Sequence, residues 1–346
     1  MYKVTIAIPV YNAQDYISES LLSAINQTFK DIEVLVIDDK GCDKSMDIIR
    51  DIVNTHNRGK DIRVITHERN LGPANARNTA LKKATGEYIF FLDSDDTITE
   101  NCIEILYDKI TEFDVDFVSA TYQKIYKDGQ VELVNNQKKA IKGNQNIANF
   151  FFKEPRNTTI ESTVWNKLYR LSFLRDNNIT FIPDKLYEDM IFTFCMILKA
   201  KSCILLSDIL YNYRIRQNSI MQYNPRNIIP IKEIEDCLFF NTFKKSESIR
   251  HKDSSFFESM ITQIMMNCFN DISVIIDKRK IISEKISPNE IKEALSYPIS
   301  FSEVCKFKHH KVLNFSLFIF SKLPYWIEIL LLKIYLKLQR FYRKIR

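Results

Sequence analysis

The feature that most limits what this chain can become is a rhythm in its first 120 residues. "VTIAIPV" (4–10) is a continuous apolar, β-branched run of strand length, and Ile17, Leu21, Ala24 and Ile25 follow at helical spacing. "IEVLVI" (32–37) is a second run, followed by Ile48, Ile49, Ile52 and Val53 at helical spacing. "IRVIT" (62–66) is a third, weaker run, and a helix opens at "GPANARNTALKKA" with Pro73 suited to its first turn. "YIFFL" (88–92) is the fourth, after which Thr99 is placed to cap a helix carrying Ile103, Leu106 and Ile110. Strands that are apolar on both faces and alternate with helices predict a Rossmann-like α/β domain. Its sheet would be mostly parallel, flanked by helices and joined by right-handed crossovers.

Open sheets of this kind bind ligands beyond the carboxyl ends of their strands. Strand one ends in Pro9, Tyr11 and Asn12, strand two in Asp38 and Asp39, and strand four in "FFLDSDDT" (90–97) with Asp93, Asp95 and Asp96. A lone aspartate here would read as a cap or a solvated turn residue. Three within four positions, beside two more at the next strand end, repel one another unless a cation sits among them. The crevice is therefore expected to hold a cation.

After residue 120 the pattern changes. "TYQKIYKDGQVELV" (121–134) alternates around Asp128-Gly129 and predicts a hairpin. Residues 187–199 form an apolar-faced helix headed by Glu188 and Asp189, and "CILLS" and "LYNYRI" (203–207, 210–215) read as two strands. Beyond about 225 the chain is helical in pattern, over 225–245, 255–277, 289–296 and 314–345. This predicts a domain over 1–222 and a helical region over 223–346.

The charge excess sits on the tail. The chain has 49 basic and 43 acidic residues, and the six basic residues from Lys333 to Arg346 account for the difference. A nucleic-acid binder would spread positive charge over a folded face, so no nucleic-acid partner is expected. Seven scattered cysteines without a C-x-x-C pair predict reduced thiols, mostly buried, in a cytoplasmic protein. The first apolar run is broken by Pro9 and is too short for a signal-peptide core.

Two chemistries fit "LDSDDT" less well than it first suggests. The D-x-D-x-T pattern resembles the nucleophile loop of haloacid-dehalogenase-type phosphohydrolases, where Asp93 would take a phosphoryl group. Here about 90 residues of organised sheet precede it, and no lysine followed by a Gly-Asp-x-x-x-Asp strand end follows. No G-x-G-x-x-G follows strand one, and "GCDKS" (41–45) lacks the Gly-Lys pair of a phosphate loop. A catalytically inactive carbohydrate-binding or scaffold module is a third reading.

"IPVYN", "VIDD", "NLGPANARN" (70–78), "FLDSDD" and "YEDMIF" (187–192) occur in this order at these intervals. Together they resemble glycosyltransferase family 2, the GT-A-fold group of inverting sugar-nucleotide transferases, over roughly residues 3 to 220. The resemblance implies a nucleotide-sugar donor, probed first as a UDP-sugar, and Mn²⁺ or Mg²⁺ as cofactor. Pro9 and Tyr11 would lie at the base, with Tyr11 stacking on it or serving as a core tyrosine. Asp39 would accept from the uracil N3–H, Asp38 would support it or cap the next helix, and Asp93 would bind ribose. Asp95 would ligate the metal, as hard oxygen ligands do, while Asp96 would orient the loop. Arg77 would face the diphosphate or form an ordinary surface pair, and Arg214 or Arg216 would reach the diphosphate from a closing segment. The family's Glu-Asp motif supplies the general base from its aspartate, which points to Asp189, with Glu188 as second choice.

"WNKLYR" (165–170) resembles a stretch lining the acceptor side in bacterial polysaccharide enzymes, so Trp165 would stack on a sugar or be buried. The Gln-x-x-Arg-Trp signature of processive synthases is missing, which implies one sugar moved per encounter. The expected acceptor is a saccharide or lipid-linked saccharide in capsule, exopolysaccharide or lipopolysaccharide assembly.

The tail over 314–346 is the most apolar and the most basic stretch. Lys322, Glu328 and Lys333 interrupt every long apolar window, and Pro324 would break a helix, so a spanning segment is not expected. The stretch reads as an amphipathic helix on the inner face of an anionic membrane, or as a helix packed on the rest of the protein.

Overall fold

The structure is a computed structural model that describes residues 2–134, 138–153, 160–215 and 228–345. The chain divides into two compact units, Met1–Gln222 and Tyr223–Arg346. Residues 216–227, with Arg216 and the boundary expected near 222, lie outside the described residues.

Unit 1 begins with the expected alternation. Strands β1 (Val4–Val10), β2 (Ile32–Asp38), β3 (Ile62–Thr66) and β4 (Tyr88–Phe91) alternate with helices α1 (Ile17–Ile25), α2 (Ser45–Thr55) and α3 (Pro73–Lys83). A short β5 (Thr97–Ile98) leads into α4 (Cys102–Glu112). The residue at the head of α4 is Asn101 rather than Thr99, whose carbonyl instead accepts from the Cys102 N–H.

The second half follows as β6 (Phe117–Ile125), β7 (Val131–Val134), β8 (Lys139–Lys142), α5 (Asn144–Lys153), β9 (Lys167–Arg170), α6 (Leu171–Asp176), α7 (Glu188–Lys199) and β10 (Ser202–Arg214). β6 and β7 form the hairpin expected at Asp128-Gly129, and Gly129 takes the positive φ of 84° that such a turn favours.

The strands make one sheet in the order β3-β2-β1-β4-β9-β6-β10-β5, with β7 on β6 and β8 on β10. It is parallel from β3 to β4 and mixed beyond, because β9 runs antiparallel to both β4 and β6. The two strands expected over 203–215 are one strand, β10, irregular between Leu205 and Tyr211. Asp208 and Ile209, which fell between the two expected strands, lie in this bulge.

Side chains alternate between the two faces of the sheet, and each face has its own core. Phe90 joins Ile6, Ile8, Val34 and Leu106 on the side of α1, α2 and α4. Phe91, one residue on, meets Phe181 and Phe192 on the other side, with ring centroids 5.6 and 6.3 Å away. A one-residue slip of β4 would exchange these two cores, so the register is strongly specified. It also fixes where residues 93–96 emerge.

Unit 2 is helical: α8 (Ile231–Ser248), α9 (Phe257–Lys278), α10 (Pro288–Leu295), α11 (Phe301–Val304), α12 (Lys311–Lys322) and α13 (Tyr325–Ile345). α9 is its axis and packs against α8, α10, α12 and α13. Its isoleucines 272, 275 and 276 meet Ile234, Leu295, Ile329 and Leu332 in one apolar core. Ser287 starts α10 with a capping box to Glu290. Pro324 separates α12 from α13, so the 314–345 stretch is two helices and not one.

Candidate active site

The ends of β1, β2 and β4 hold the residues singled out from the sequence. Tyr11, just past β1, is 51% exposed, while Pro9 is half-buried within the strand. Beside it Gly41 approaches so closely that an added Cβ would stand 2.8 Å from Asn12 Oδ1 and 2.9 Å from Asn12 N. Any larger residue there would displace the loop that carries Tyr11.

Asp38 and Asp39 are both buried. Asp38 Oδ1 accepts from the Lys40 N–H at 2.9 Å, so it stabilises its own turn and not the start of α2. Asp39 is more heavily engaged. Its Oδ1 accepts from the Leu71 N–H at 2.9 Å and meets His67 Nδ1 at 2.7 Å, and its Oδ2 accepts from the Gly72 N–H at 2.8 Å. Three of the roughly four acceptor positions of a carboxylate are thus filled. Gly72 stands at φ 84°, a conformation costly for a residue with a Cβ. His67 was not singled out from the sequence; its only signal was its place directly after β3.

Arg77, on α3, is the centre of the arrangement. Its Nη2 donates to Asp93 Oδ1 at 2.8 Å and its Nη1 to Glu188 Oε1 at 2.7 Å. The side chain is only 9% exposed, so this is no surface pair. Burial alone would lower the Arg77 pKa, but Asp93 and Glu188 outweigh it and hold the guanidinium charged, above the usual arginine range. Its Nε is buried without a hydrogen-bond partner. Through Arg77 the end of β4 and the start of α7 become neighbours, although 95 residues of sequence separate Asp93 from Glu188.

At the end of β4, Asp93, Asp95 and Asp96 each offer an oxygen within 4.8 Å of the others. Asp96 is buried, accepts from the Tyr211 hydroxyl at 2.7 Å through Oδ2, and accepts from the Arg214 N–H at 2.8 Å through Oδ1. Burial, then the charges of Asp95 and Asp93, push its carboxyl well above the usual range. Such hard oxygen donors, crowded enough to raise a neighbour's pKa, fit a divalent ion of the Mg²⁺ or Mn²⁺ type. With both oxygens of Asp96 on protein donors, Asp93 and Asp95 are the half-buried pair at the crevice.

Glu188 and Asp189 open α7 behind Tyr187, which stands at φ 65°. Asp189 Oδ1 accepts from the Met190 N–H at 2.7 Å. Burial and the charge of Glu188 push the Asp189 carboxyl up to about 6, with Arg77 opposing.

The two residues proposed at the far side fall differently from the simplest expectation. The Arg214 guanidinium pairs with Glu19 and lies 5.2 Å over the Tyr16 ring, while its backbone holds Asp96. Trp165 is buried, stacked on Tyr211 and Tyr213 with centroids 4.6 and 5.3 Å away. Its ring therefore belongs to the wall that supports Tyr211, whose hydroxyl also accepts from the Asp93 N–H at 3.3 Å. The sequence did not flag Tyr211, Glu19 or the fully buried Lys167. Burial lowers the Lys167 ammonium pKa to about 8, and Glu161 and Asp189 oppose that shift.

The model of Glycosyl transferase family 2 matches residues 5–175. A poly(ribitol-phosphate) beta-glucosyltransferase of Bacillus spizizenii is 33% identical over 229 residues, which are 62% of this chain and 33% of that protein. Glycosyltransferase GlyG of Streptococcus pneumoniae is 28% identical over 260 residues, covering 68% of this chain and 80% of that one. The match thus spans a third of the length of the Bacillus relative and most of GlyG. The crystal structure of residues 1–349 of S. aureus TarS in complex with UDP-GlcNAc superposes with a TM-score of 0.67 at 20% identity, covering 92% of this chain and 90% of that one. Asp93 ends the fourth strand of this fold and is held by an arginine, so the dehalogenase-type reading of its loop is set aside. With these matched motifs, residues 5–175 form a glycosyltransferase family 2 domain.

Proposed function

We propose that this protein is a metal-dependent inverting glycosyltransferase that moves one sugar from a UDP-sugar to a saccharide or lipid-linked saccharide. The observation that carries the reading is the Arg77 bridge, which sets the acidic end of β4 beside the Glu188-Asp189 pair. Donor side and proton acceptor then share one crevice.

In the reaction an acceptor hydroxyl oxygen bonds to the anomeric carbon as the bond to the diphosphate oxygen breaks on the opposite side. The hydroxyl proton passes to a carboxylate, and UDP leaves. Asp189 suits that task because a base works best with a pKa near the working pH, and its carboxyl stands at about 6. Glu188 is committed to Arg77, which supports Asp189 over its neighbour. Asp95, with Asp93 beside it, would hold Mn²⁺ or Mg²⁺, which when bound offsets the charge of the leaving diphosphate. Arg77 acts by holding Asp93 and Glu188 in register, and Asp96 by fixing the loop through Tyr211 and Arg214.

Tyr11, exposed beside Pro9, is available to stack on a base. Asp39 has one acceptor position left, suited to a ring N–H such as that of uracil, and Asp38 shapes the same turn. The UDP-GlcNAc in the TarS structure supports a uridine donor. The names of the relatives support a cell-surface polymer or glycoconjugate as acceptor, made at the cytoplasmic face of the membrane.

The test is titration of UDP with and without Mn²⁺, followed by donor turnover. Metal-dependent binding that Asp95→Asn weakens and Asp189→Asn spares supports the assignment. Equal loss of UDP in both variants overturns the division of roles, and no turnover with any nucleotide-sugar favours an inactive binding module.

A further inference from the structure

Unit 2 ends on a helix with two apolar faces. One side of α13 buries Ile329 and Leu332 in the core, together with Glu328, whose Oε1 accepts from Lys292 Nζ at 2.9 Å. On the other side Trp326, Leu330, Ile334 and Leu338 recur every fourth residue and are 67%, 51%, 45% and 53% exposed. That spacing stacks them along one line of the helix surface. A helix at the surface of a globule in water normally carries charged and polar residues there. α12 repeats the pattern with Val312, Phe315 and Ile319 exposed.

Charge accompanies the stripe. Lys333 and Lys337 are exposed and line, with Leu330 and Ile334, a cavity of about 260 Å³ that Ile276 and Asp277 of α9 close from the other side. From residue 329 to the end the sequence holds six basic residues and no acidic one.

We propose that this face of α13 docks on an anionic lipid surface, with the stripe at the headgroup boundary and the lysines on lipid phosphates. The charge selects this occupant. A second copy pairing about a two-fold axis would set the same basic stripe against itself, and the like charges would oppose it. An anionic leaflet supplies the opposite charge, tryptophan favours the interfacial depth, and lysine stems extend along apolar surface to keep their heads in water. Among the described residues no helix is long and apolar enough to cross a membrane, so α13 would lie in the surface plane. The inference deepens the lipid-linked acceptor reading but rests on residues of unit 2 alone.

Vesicle flotation of the full chain tests it, using phosphatidylcholine alone and mixed with phosphatidylglycerol. The chain should float with the mixed vesicles, and Leu330→Glu/Ile334→Glu should return it to background with thermal unfolding unchanged. Both positions are about half exposed, so the glutamates can turn to solvent. Lys333→Gln/Lys337→Gln, which removes both charges and keeps the apolar side chains of the stripe, should weaken binding about thirty-fold at low salt and remove the preference for anionic lipid. No flotation of the full chain, or equal flotation of the glutamate variant, overturns the proposal. So does a dimer in solution that the glutamate variant disperses, which would assign the stripe to a second copy. UDP binding, measured on the same variants, reports separately on the catalytic reading.

Discussion

In unit 2 two lysines, buried Lys245 and half-buried Lys292, each meet a matching need close by. Lys245 Nζ donates to the carbonyls of Glu293, Ala294 and Ser296 at 2.7, 3.0 and 3.2 Å, satisfying the end of α10. Lys292 Nζ does the same for Leu323 at 2.7 Å and pairs with Glu328. Helix C-termini expose carbonyls and a partial negative charge, so a cation there closes the account locally. In unit 1 the supply is lopsided. Arg77 serves two carboxylates at once, while burial, and after it the charge of neighbouring carboxylates, raises the pKa values of Asp96 and Asp189. Charge that is matched group by group holds a fold together. An acidic cluster in which Asp93 and Glu188 share one buried arginine is what a site for cationic and protic partners needs.

The comparison breaks most easily at Asp189. Asp189→Asn should lower transfer about 10²–10⁴-fold in single-turnover assays with UDP affinity intact, the usual contribution of a positioned base. A residual rate within tenfold of the parent would remove Asp189 from the chemistry.

Arg77→Met comes next. It leaves two carboxylates without their counter-ion in a mostly buried setting, and losing one partner of such a pair costs about 3–5 kcal/mol. Denaturant unfolding should show that loss in unit 1. If instead stability holds and only activity falls, Arg77 is less central to the fold than its two ion pairs indicate.

Lys245→Met is the counterpart in unit 2. It should cost about 1–3 kcal/mol by stranding carbonyls at the end of α10, while kcat of the folded fraction stays unchanged. A change in kcat at constant stability would contradict the structural role.

The pH dependence separates the two kinds of charge further. A carboxyl raised from an ordinary value of about 3.9 to about 6 favours the protonated form in the fold. Asp189 therefore stabilises the fold below about pH 4, and that contribution disappears as pH rises through about 6. Transfer should run the other way and rise through the same window, because the proposed base works deprotonated. Parent and Asp189→Asn should differ in both profiles, and identical acid limbs would dissociate the shift from the mechanism.

The smallest effect belongs to Glu19→Gln, which breaks the pair with Arg214. Both side chains reach solvent, so the change should be about 0–1 kcal/mol by thermal unfolding. A larger one would mean that the Arg214 side chain also steadies the Asp96 loop.

β1, β2 and β4 were legible because burial on both faces writes continuous apolar runs, which end at the residues that line the crevice, while edge strand β3 is partly exposed and read as the weaker run. β9 was not, because a short strand containing a buried lysine, "KLYR", has no apolar alternation to detect. The bulge in β10 was read as a gap for a related reason, since Asp208 interrupts a pattern that the backbone carries on through. The acidic trio at 93–96 was plain in the sequence, and so was the Glu-Asp pair at 188–189.

The sequence by itself determined the alternating α/β order, the strand-end clustering of carboxylates and the basic, apolar tail, because each is written in local spacing. Only the tertiary structure decided which groups face one another. Arg77 reaches Glu188 across 111 residues and Tyr211 reaches Asp96 across 115, distances over which no periodicity carries information. The same holds for α13, whose sequence shows apolar residues all round. Packing on α9 consumes one side and leaves the Trp326 stripe outside.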